Sequence, residues 1–272
     1  MTKAFIKMHG LGNDFAIFDA RRENLHIGPE QIRALAHRRT GIGFDQMVII
    51  DPPKSPETDA FLRIYNADGG EVGACGNATR CIGRLLIAEL GKPEIVLETI
   101  AAKLTAKMAG DKVCVDMNAA KVKWQEIPIT NEEKTEFLPI IEDILQQPVA
   151  VNMGNPHAVF FVENVGDVPL ETLGPKIEHH PLFPERTNVE VAQVISPTEI
   201  RMRVWERGAG ITQACGTGAC ATAVAGVRRG LTERKVTIIL DGGTLEIEWR
   251  ESDGHVLMTG DAVEVYRGTI DV

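Results

Sequence analysis

Ala214-Cys215-Gly216-Thr217-Gly218-Ala219-Cys220 runs into an apolar stretch, residues 221–227, and stops at Arg228-Arg229-Gly230. A cysteine followed by small residues and then an apolar run predicts a strand or loop turning sharply into a short buried helix, with Cys215 at its N-terminus. The first N–H groups of such a helix have no intrahelical acceptor, and the helix dipole adds positive charge at the same point. Both favour an anion there, either a bound carboxylate or the thiolate itself. The chain contains this feature twice. Ala74-Cys75-Gly76-Asn77-Ala78-Thr79 leads into Arg80-Cys81-Ile82-Gly83-Arg84-Leu85-Leu86 and ends at Gly91-Lys92-Pro93.

The duplication extends well beyond the cysteines, and long self-similarity of this kind governs how the rest is read. Arg63-Ile64-Tyr65-Asn66 matches Arg203-Val204-Trp205-Glu206, Gly70 matches Gly210, and Cys75-Gly76 matches Cys215-Gly216, all at one offset. Asn13 matches Asn155, and Gln46 matches Asn188, at an offset two residues longer. Residues 113–117 parallel residues 256–258, each after an Asp-containing turn. Two halves of similar strand and helix order are expected, each a mostly antiparallel sheet wrapped around its own cysteine-capped helix. A strict βαβ alternation is absent, so the expected class is α+β rather than a parallel doubly wound sheet.

In chain order, strands are expected at residues 5–10, 15–19, 47–50, 61–66, 95–99, 103–108 and 112–117. A helix is expected over 29–39, with Pro29 in its first turn. Residues 119–148 read as a connection with one helical piece around 137–145. The chain has 272 residues, enough for one large domain or two ordinary ones. Its net charge of −9 argues against nucleic acid as a partner, because phosphate binding needs a basic face. No apolar run approaches the roughly 18 residues of a membrane span. Five cysteines, an odd number with no export signal, favour free thiols and a cytoplasmic setting.

Two related halves that face each other present two equivalent thiols to one cleft. That suits inversion of a stereocentre, in which a proton leaves one face of a carbon and another arrives on the opposite face. A cysteine titrates near about 8.5 and lower at helix N-termini, so a thiolate and a thiol can coexist near neutrality. Two coupled thiols tend to hold one charge between them, which is the state such a reaction requires. An amino-acid α-hydrogen is a very weak acid, so the carbanion needs stabilising. Backbone N–H groups after each cysteine, at Gly76-Asn77 and Gly216-Thr217, are donors for that charge, worth about 2.7–4 kcal/mol each when well aimed. There is no Rossmann glycine fingerprint, P-loop or metal cluster, and no feature asks for a pyridoxal lysine.

Taken together, these residues resemble the diaminopimelate epimerase family. The resemblance covers essentially the whole chain. It is carried by residues 8–15 (Met-His-Gly-Leu-Gly-Asn-Asp-Phe), by Asn66-Ala67-Asp68-Gly69 through Cys75-Gly76-Asn77, by Gly154-Asn155-Pro156-His157, and by Glu206-Arg207-Gly208-Ala209-Gly210 through Cys215-Gly216-Thr217-Gly218. It implies a cofactor-independent enzyme that interconverts LL- and meso-diaminopimelate, with Cys75 and Cys215 as the acid/base pair and no metal. It implies substrate contacts from Asn13, Gln46, Asn66, Asn155, Asn188, Glu206 and Arg207, and carboxylate donors at Gly76, Asn77, Gly216 and Thr217. His157 and Glu206 would tune the thiols, and a homodimer is implied. The expected halves are residues 1–118, with 263–272 returning to them, and residues 119–262. Departures at Ala78-Thr79 and Ile211-Thr212-Gln213 are expected to touch no proposed ligand.

The competing readings are a two-thiol racemase of proline or hydroxyproline, and a thiol-redox or metal-binding protein. Cys81, Cys114 and Cys220 are expected in the core, since they fall within apolar segments. His9, His26, His37, His179, His180 and His255 have no partner pattern and are expected to be structural or on the surface.

Overall fold

The computed structural model of the protein describes residues 2–272. Its contacts divide the chain into two units, Met1–Val115 with Gly260–Val272, and Asp116–Thr259.

In the first unit, β1 (Thr2–Gly10) and β2 (Asn13–Asp19) form a hairpin, and β2 runs parallel to β3 (Gln46–Asp51) after helix α1 (Pro29–Ala36). β4 (Ala60–Asn66) lies antiparallel to β3 and pairs with the short β5 (Glu71–Val72). The chain then enters α2 (Gly76–Leu90), and β6 (Glu94–Glu98), β7 (Lys103–Ala109) and β8 (Lys112–Ala119) follow. Helix α2 packs on β1, β6 and β7 and is buried along most of its length. It ends at Gly91, whose φ of 64° is a left-handed conformation that glycine adopts without a Cβ clash, and whose N–H caps Ile87 O.

A connection carries β9 (Ile141–Glu142) and β10 (Leu145–Gln146), paired as a small hairpin. The helix expected around 137–145 is therefore absent. Pro139 disfavours a helical conformation at Leu138 before it, and Asp143, at a φ of 56°, turns the chain back between the two strands. Leu138, Ile140 and Leu145 face the core while Phe137, Ile141 and Ile144 are exposed, so the apolar spacing served a bent extended segment.

The second unit repeats the plan of the first. β11 (Val149–Asn152) and β12 (Pro156–Phe161) form the hairpin, and after α3 (Leu170–Glu178) β12 pairs in parallel with β13 (Asn188–Ser196). β14 (Glu199–Glu206), β15 (Gly210–Ile211) and α4 (Gly216–Arg228) follow, then β16 (Lys235–Leu240), β17 (Gly243–Trp249) and β18 (His255–Gly260). Helix α4 packs against β11, β12, β13, β14, β16 and β17. Its run of Ala, Gly and Val is what such a surrounded helix needs, because bulky side chains would hold the strands away. β19 (Val263–Asp271) has no counterpart in the repeat and pairs antiparallel with β1.

All seven strands expected in the first half are present within a few residues, and mixed strand directions with few helices fit the α+β class. Helix α3 was not foreseen. Pro169, Gly174 and Pro175 punctuate it, and Pro175 lies inside it. The core of the second unit centres on Phe160, Leu170, Leu173, Ile177 and Phe183. Replacing the fully buried Phe160 by alanine should cost about 3–5 kcal/mol. Urea denaturation checks this, and a loss within the scatter of surface variants would contradict the packing described.

Candidate active site

Each unit gathers its candidate residues at one end of three strands. In the first unit, Asn13 opens β2, Gln46 opens the parallel β3, and Asn66 closes the antiparallel β4, where Gln46 and Asn66 are register partners. Gln46 Nε2 donates to Asn66 Oδ1 at 2.9 Å. Cys75 is the N-cap residue of α2, with its backbone extended and its carbonyl accepting from Thr79 N–H at 2.9 Å. Cys75 Sγ lies 4.0 Å from Asn13 Oδ1, which also accepts from Asn77 Nδ2 at 3.2 Å. Asn77 Oδ1 and Gln46 Oε1 are buried without a hydrogen-bond partner among the described residues. Buried polar atoms are ordinarily satisfied, so these two are acceptors suited to a ligand's N–H groups.

Asn13 is held from behind by a charged network. Its Nδ2 donates to Asp45 Oδ2 at 3.2 Å, and Arg38 bridges Asp45 and Asp14. Burial works against ionisation of Asp14, but Arg38 and Lys7 outweigh it and bring the carboxyl down to about 2.

The second unit has the same arrangement with different chemistry. Asn155 precedes β12, Asn188 opens the parallel β13, and Glu206 closes the antiparallel β14. Asn188 Nδ2 donates to Pro156 O at 2.9 Å, and its Oδ1 accepts from Arg207 N–H at 3.0 Å. Arg207 Nη1 donates to Glu185 O at 3.0 Å. Cys215 is the N-cap residue of α4, and its Sγ accepts from Gly218 N–H at 3.4 Å and lies 3.5 Å from Thr217 Oγ1. His157 is fully buried. Its Nδ1 lies 2.7 Å from Glu190 Oε1 and its Nε2 lies 3.0 Å from Asn155 Oδ1.

A lowered thiol is not what the structure shows at Cys215. Burial pushes this thiol well above its ordinary value, and the carboxyl groups of Glu206 and Glu190 push the same way. The helix N-terminus, through Gly218 N–H and the Thr217 hydroxyl, opposes them and loses. Glu206 is itself raised by burial, against the Thr212 hydroxyl that donates to it and the Cys215 thiol. Cys215 is thus a raised thiol where its place at a helix N-terminus predicts a lowered one. Thr212 is also a correction, since this departure does touch a proposed ligand.

Three further supporting residues were not singled out in the sequence. Glu190 sits between Val189 and Val191, where strand alternation makes it look solvent-facing, yet it is fully buried. Its misfit is visible only by setting it against Val48, its partner at the longer repeat offset. Glu178 lies in the unforeseen α3, where it accepts from Trp205 Nε1 at 2.7 Å and from Gly208 N–H at 3.0 Å, fixing the turn that carries Arg207. Asp45, which holds Asn13, reads as an ordinary loop residue. Cys81, Cys114 and Cys220 are buried as expected, and burial pushes Cys81 up to about 12. His255 pairs with Asp116 at 2.8 Å, a structural contact. Among the described residues no group of three or more His, Cys, Asp or Glu is placed to hold a metal ion. Among the described residues no helix is long and apolar enough to cross a membrane.

Comparison with known proteins gives a consistent result. The model of the diaminopimelate epimerase family matches residues 5–123 and 149–265, leaving out the connection with its small hairpin. A diaminopimelate epimerase of Rhodospirillum centenum is 52% identical over 271 residues, covering 99% of this chain and 93% of that protein. One of Caulobacter vibrioides is 49% identical over 282 residues, covering 99% and 98%. Among solved structures, a hydroxyproline epimerase from Agrobacterium vitis superposes with a TM-score of 0.69 at 15% identity, covering 99% of this chain and 91% of that one. At that identity the likeness is one of fold.

The closeness of Glu190 to the Cys215 turn has a measurable consequence. A Cβ on Gly218 would lie 2.7 Å from Glu190 Oε1 and 3.3 Å from Cys215 Sγ. Gly218→Ala is expected to destabilise the protein by about 1–3 kcal/mol in a denaturant titration, although the first half carries alanine, Ala78, at the equivalent place. An equally stable variant would contradict the crowding.

Proposed function

This chain belongs to the diaminopimelate epimerase family, and on that footing we propose that it interconverts LL- and meso-diaminopimelate, a step of lysine and cell-wall precursor synthesis, by proton transfer between two cysteines. The observation that carries the reading is the duplicated half-site. At repeat-equivalent positions a cysteine is the N-cap residue of a buried helix, beside polar side chains at the ends of three strands, amides in the first unit and two amides with Glu206 in the second.

In this reading each half supplies one thiol. One thiolate takes the α-proton from one face of the substrate carbon, and the other thiol delivers a proton to the opposite face. Burial and two carboxyl groups hold Cys215 as a thiol, so Cys215 is the acid of the resting pair and Cys75 the base. The negative charge that develops on the α-carbon spreads into the adjacent carboxylate. N–H groups of Gly76, Asn77, Gly216 and Thr217, in the first turns of α2 and α4, have no acceptor within their helices and hold that carboxylate. Because these donors are fixed before the reaction starts, the charge is met without reorganisation. No cofactor is invoked, since the chain's own groups move both protons.

The remaining residues recognise the distant end of a two-headed zwitterion. Asn13, Gln46, Asn66, Asn155 and Asn188 offer amide donors and acceptors for ammonium and carboxylate groups. Arg207 has five N–H donors, so it can hold Glu185 O and still pair with a carboxylate. Glu206 suits an ammonium group and, with His157, sets the charge around Cys215. A homodimer in the cytoplasm belongs to the same reading, and the exposed Val263, Val265 and Tyr266 of β19 supply apolar surface for a second copy.

The test is to incubate the enzyme with LL-diaminopimelate and, separately, with L-proline, and to resolve the stereoisomers. Formation of the meso isomer, with proline untouched, is expected. Racemised proline with unchanged LL-diaminopimelate would overturn the substrate assignment. Cys75→Ser and Cys215→Ser should each slow epimerisation by at least about a hundredfold while circular dichroism stays unchanged. A single variant at close to the wild-type rate would refute the two-thiol mechanism.

A further inference from the structure

The two half-sites differ most sharply one layer behind the thiols. At the longer repeat offset, His157 and Glu190 of the second unit stand where the first unit has Phe15 and Val48, and all four side chains are fully buried. The strand register is the same in both, with Phe15 opposite Gln46 and His157 opposite Asn188. Where one half has an apolar pair the other has a histidine and a glutamate, within an unchanged framework.

A buried carboxyl group has no stabilising reason to replace a valine. Taking it out of water is costly unless its oxygens are satisfied, and apolar packing at the same place is commonly as stable or more so. Glu190 Oε1 faces His157 Nδ1 at 2.7 Å, but Glu190 Oε2 is buried with no hydrogen-bond partner among the described residues. The same Oε1 lies directly behind Gly218 in the turn that starts at Cys215, which is why that position has no room for a Cβ. The other polar groups facing the thiol are Glu206 from β14 and Thr217 from α4, and His157 acts on Glu206 in turn.

We propose that Glu190 is a positioning residue for proton transfer at Cys215. It holds the His157 ring through Nδ1, directs Nε2 to Asn155, and makes the two repeat-related thiols unequal. Fixing one nitrogen of an imidazole with a carboxylate sets which nitrogen carries the proton and how the ring is turned. Here Nδ1 carries its proton toward Glu190, and Nε2 lies 3.0 Å from Oδ1 of Asn155, a proposed substrate contact and an acceptor that only a proton on Nε2 as well would satisfy. The first half has no such device, so the roles of Cys75 and Cys215 are not interchangeable. The inference rests on the epimerase reading for its rate predictions, whereas the state of the His157 ring is independent of that reading.

The experiment compares wild type, Glu190→Gln, His157→Gln and the double variant. All are assayed for epimerisation of LL-diaminopimelate and examined by nitrogen-15 imidazole spectra, with the His157 signals assigned by their loss in His157→Gln. Glu190→Gln keeps the volume and one acceptor but loses the charge. It is expected to lower kcat by at least about tenfold with little change in KM. Because Glu190 acts through His157, the double variant is expected to be no slower than His157→Gln alone. In the wild type, His157 should carry a strongly bonded proton on Nδ1 whose signal moves in Glu190→Gln. Wild-type kcat in Glu190→Gln, losses that multiply in the double variant, or a wild-type His157 without a proton on Nδ1 would each overturn the proposal. The last result is read on the unaltered enzyme and does not depend on any variant folding. An active wild type with a bare Nδ1 refutes the role of Glu190, and an inactive wild type with the bonded proton refutes the epimerase reading instead.

Discussion

A helix that begins in a buried place must give its first N–H groups something to bond, because no carbonyl precedes them. The constraint arises twice, at Cys75 before α2 and at Cys215 before α4, and the thiol of Cys215 answers it in part by accepting from Gly218 N–H. Strands surround each helix, so its N-terminus opens at the ends of β2, β3 and β4 in one unit and of β12, β13 and β14 in the other. Those ends carry Asn13, Gln46 and Asn66 on one side and Asn155, Asn188 and Glu206 on the other. An anion is thereby expected next to a thiol, within reach of neutral amides. An amino-acid carboxylate with its α-carbon beside a cysteine fits that description.

Duplication supplies two such places, and divergence makes them unequal. In the first half the layer behind the site is Phe15 and Val48, and the thiol is partly buried beside Asn13. In the second, a buried histidine, two carboxyl groups and a crowded turn surround a buried thiol. Coulomb interactions are strong where water is excluded, so Glu206 and Glu190 help to hold Cys215 in its thiol form. In the proposed reaction that thiol starts as the acid.

Much of this was legible in the sequence, because the duplication gave each position a second context. The cysteine-capped helices, the seven strands of the first half and the amides at strand ends all follow from spacing and from self-similarity. What escaped has identifiable causes. Helix α3 carries Gly174 and Pro175 inside it, which local signals read as breaks, yet its apolar Leu170, Leu173 and Ile177 pack into the core and outweigh them. The segment 137–145 has helix-like spacing, but Pro139 and the left-handed Asp143 make it a bent hairpin. Glu190 carries no signal in the sequence because a charged residue between valines usually alternates outward, and only its depth in the structure reveals that it faces His157. Thr212 looked irrelevant because its contact with Glu206 depends on how β15 and the following turn fold back. The raised Cys215 thiol could not be read from position in a helix alone, since burial decides the sign.

The central claim is that different thiols remove and deliver the proton. It is tested most directly by starting the enzyme on LL-diaminopimelate in deuterated water and stopping while little substrate has been consumed. Deuterium is then measured separately in the recovered LL isomer and the new meso isomer. Two opposed thiols predict deuterium at the inverted carbon of essentially every new meso molecule, and protium retained in the recovered substrate. Protium carried from substrate into product, or deuterium accumulating in recovered LL isomer as fast as in product, would mean that one group serves both faces, and would contradict the account.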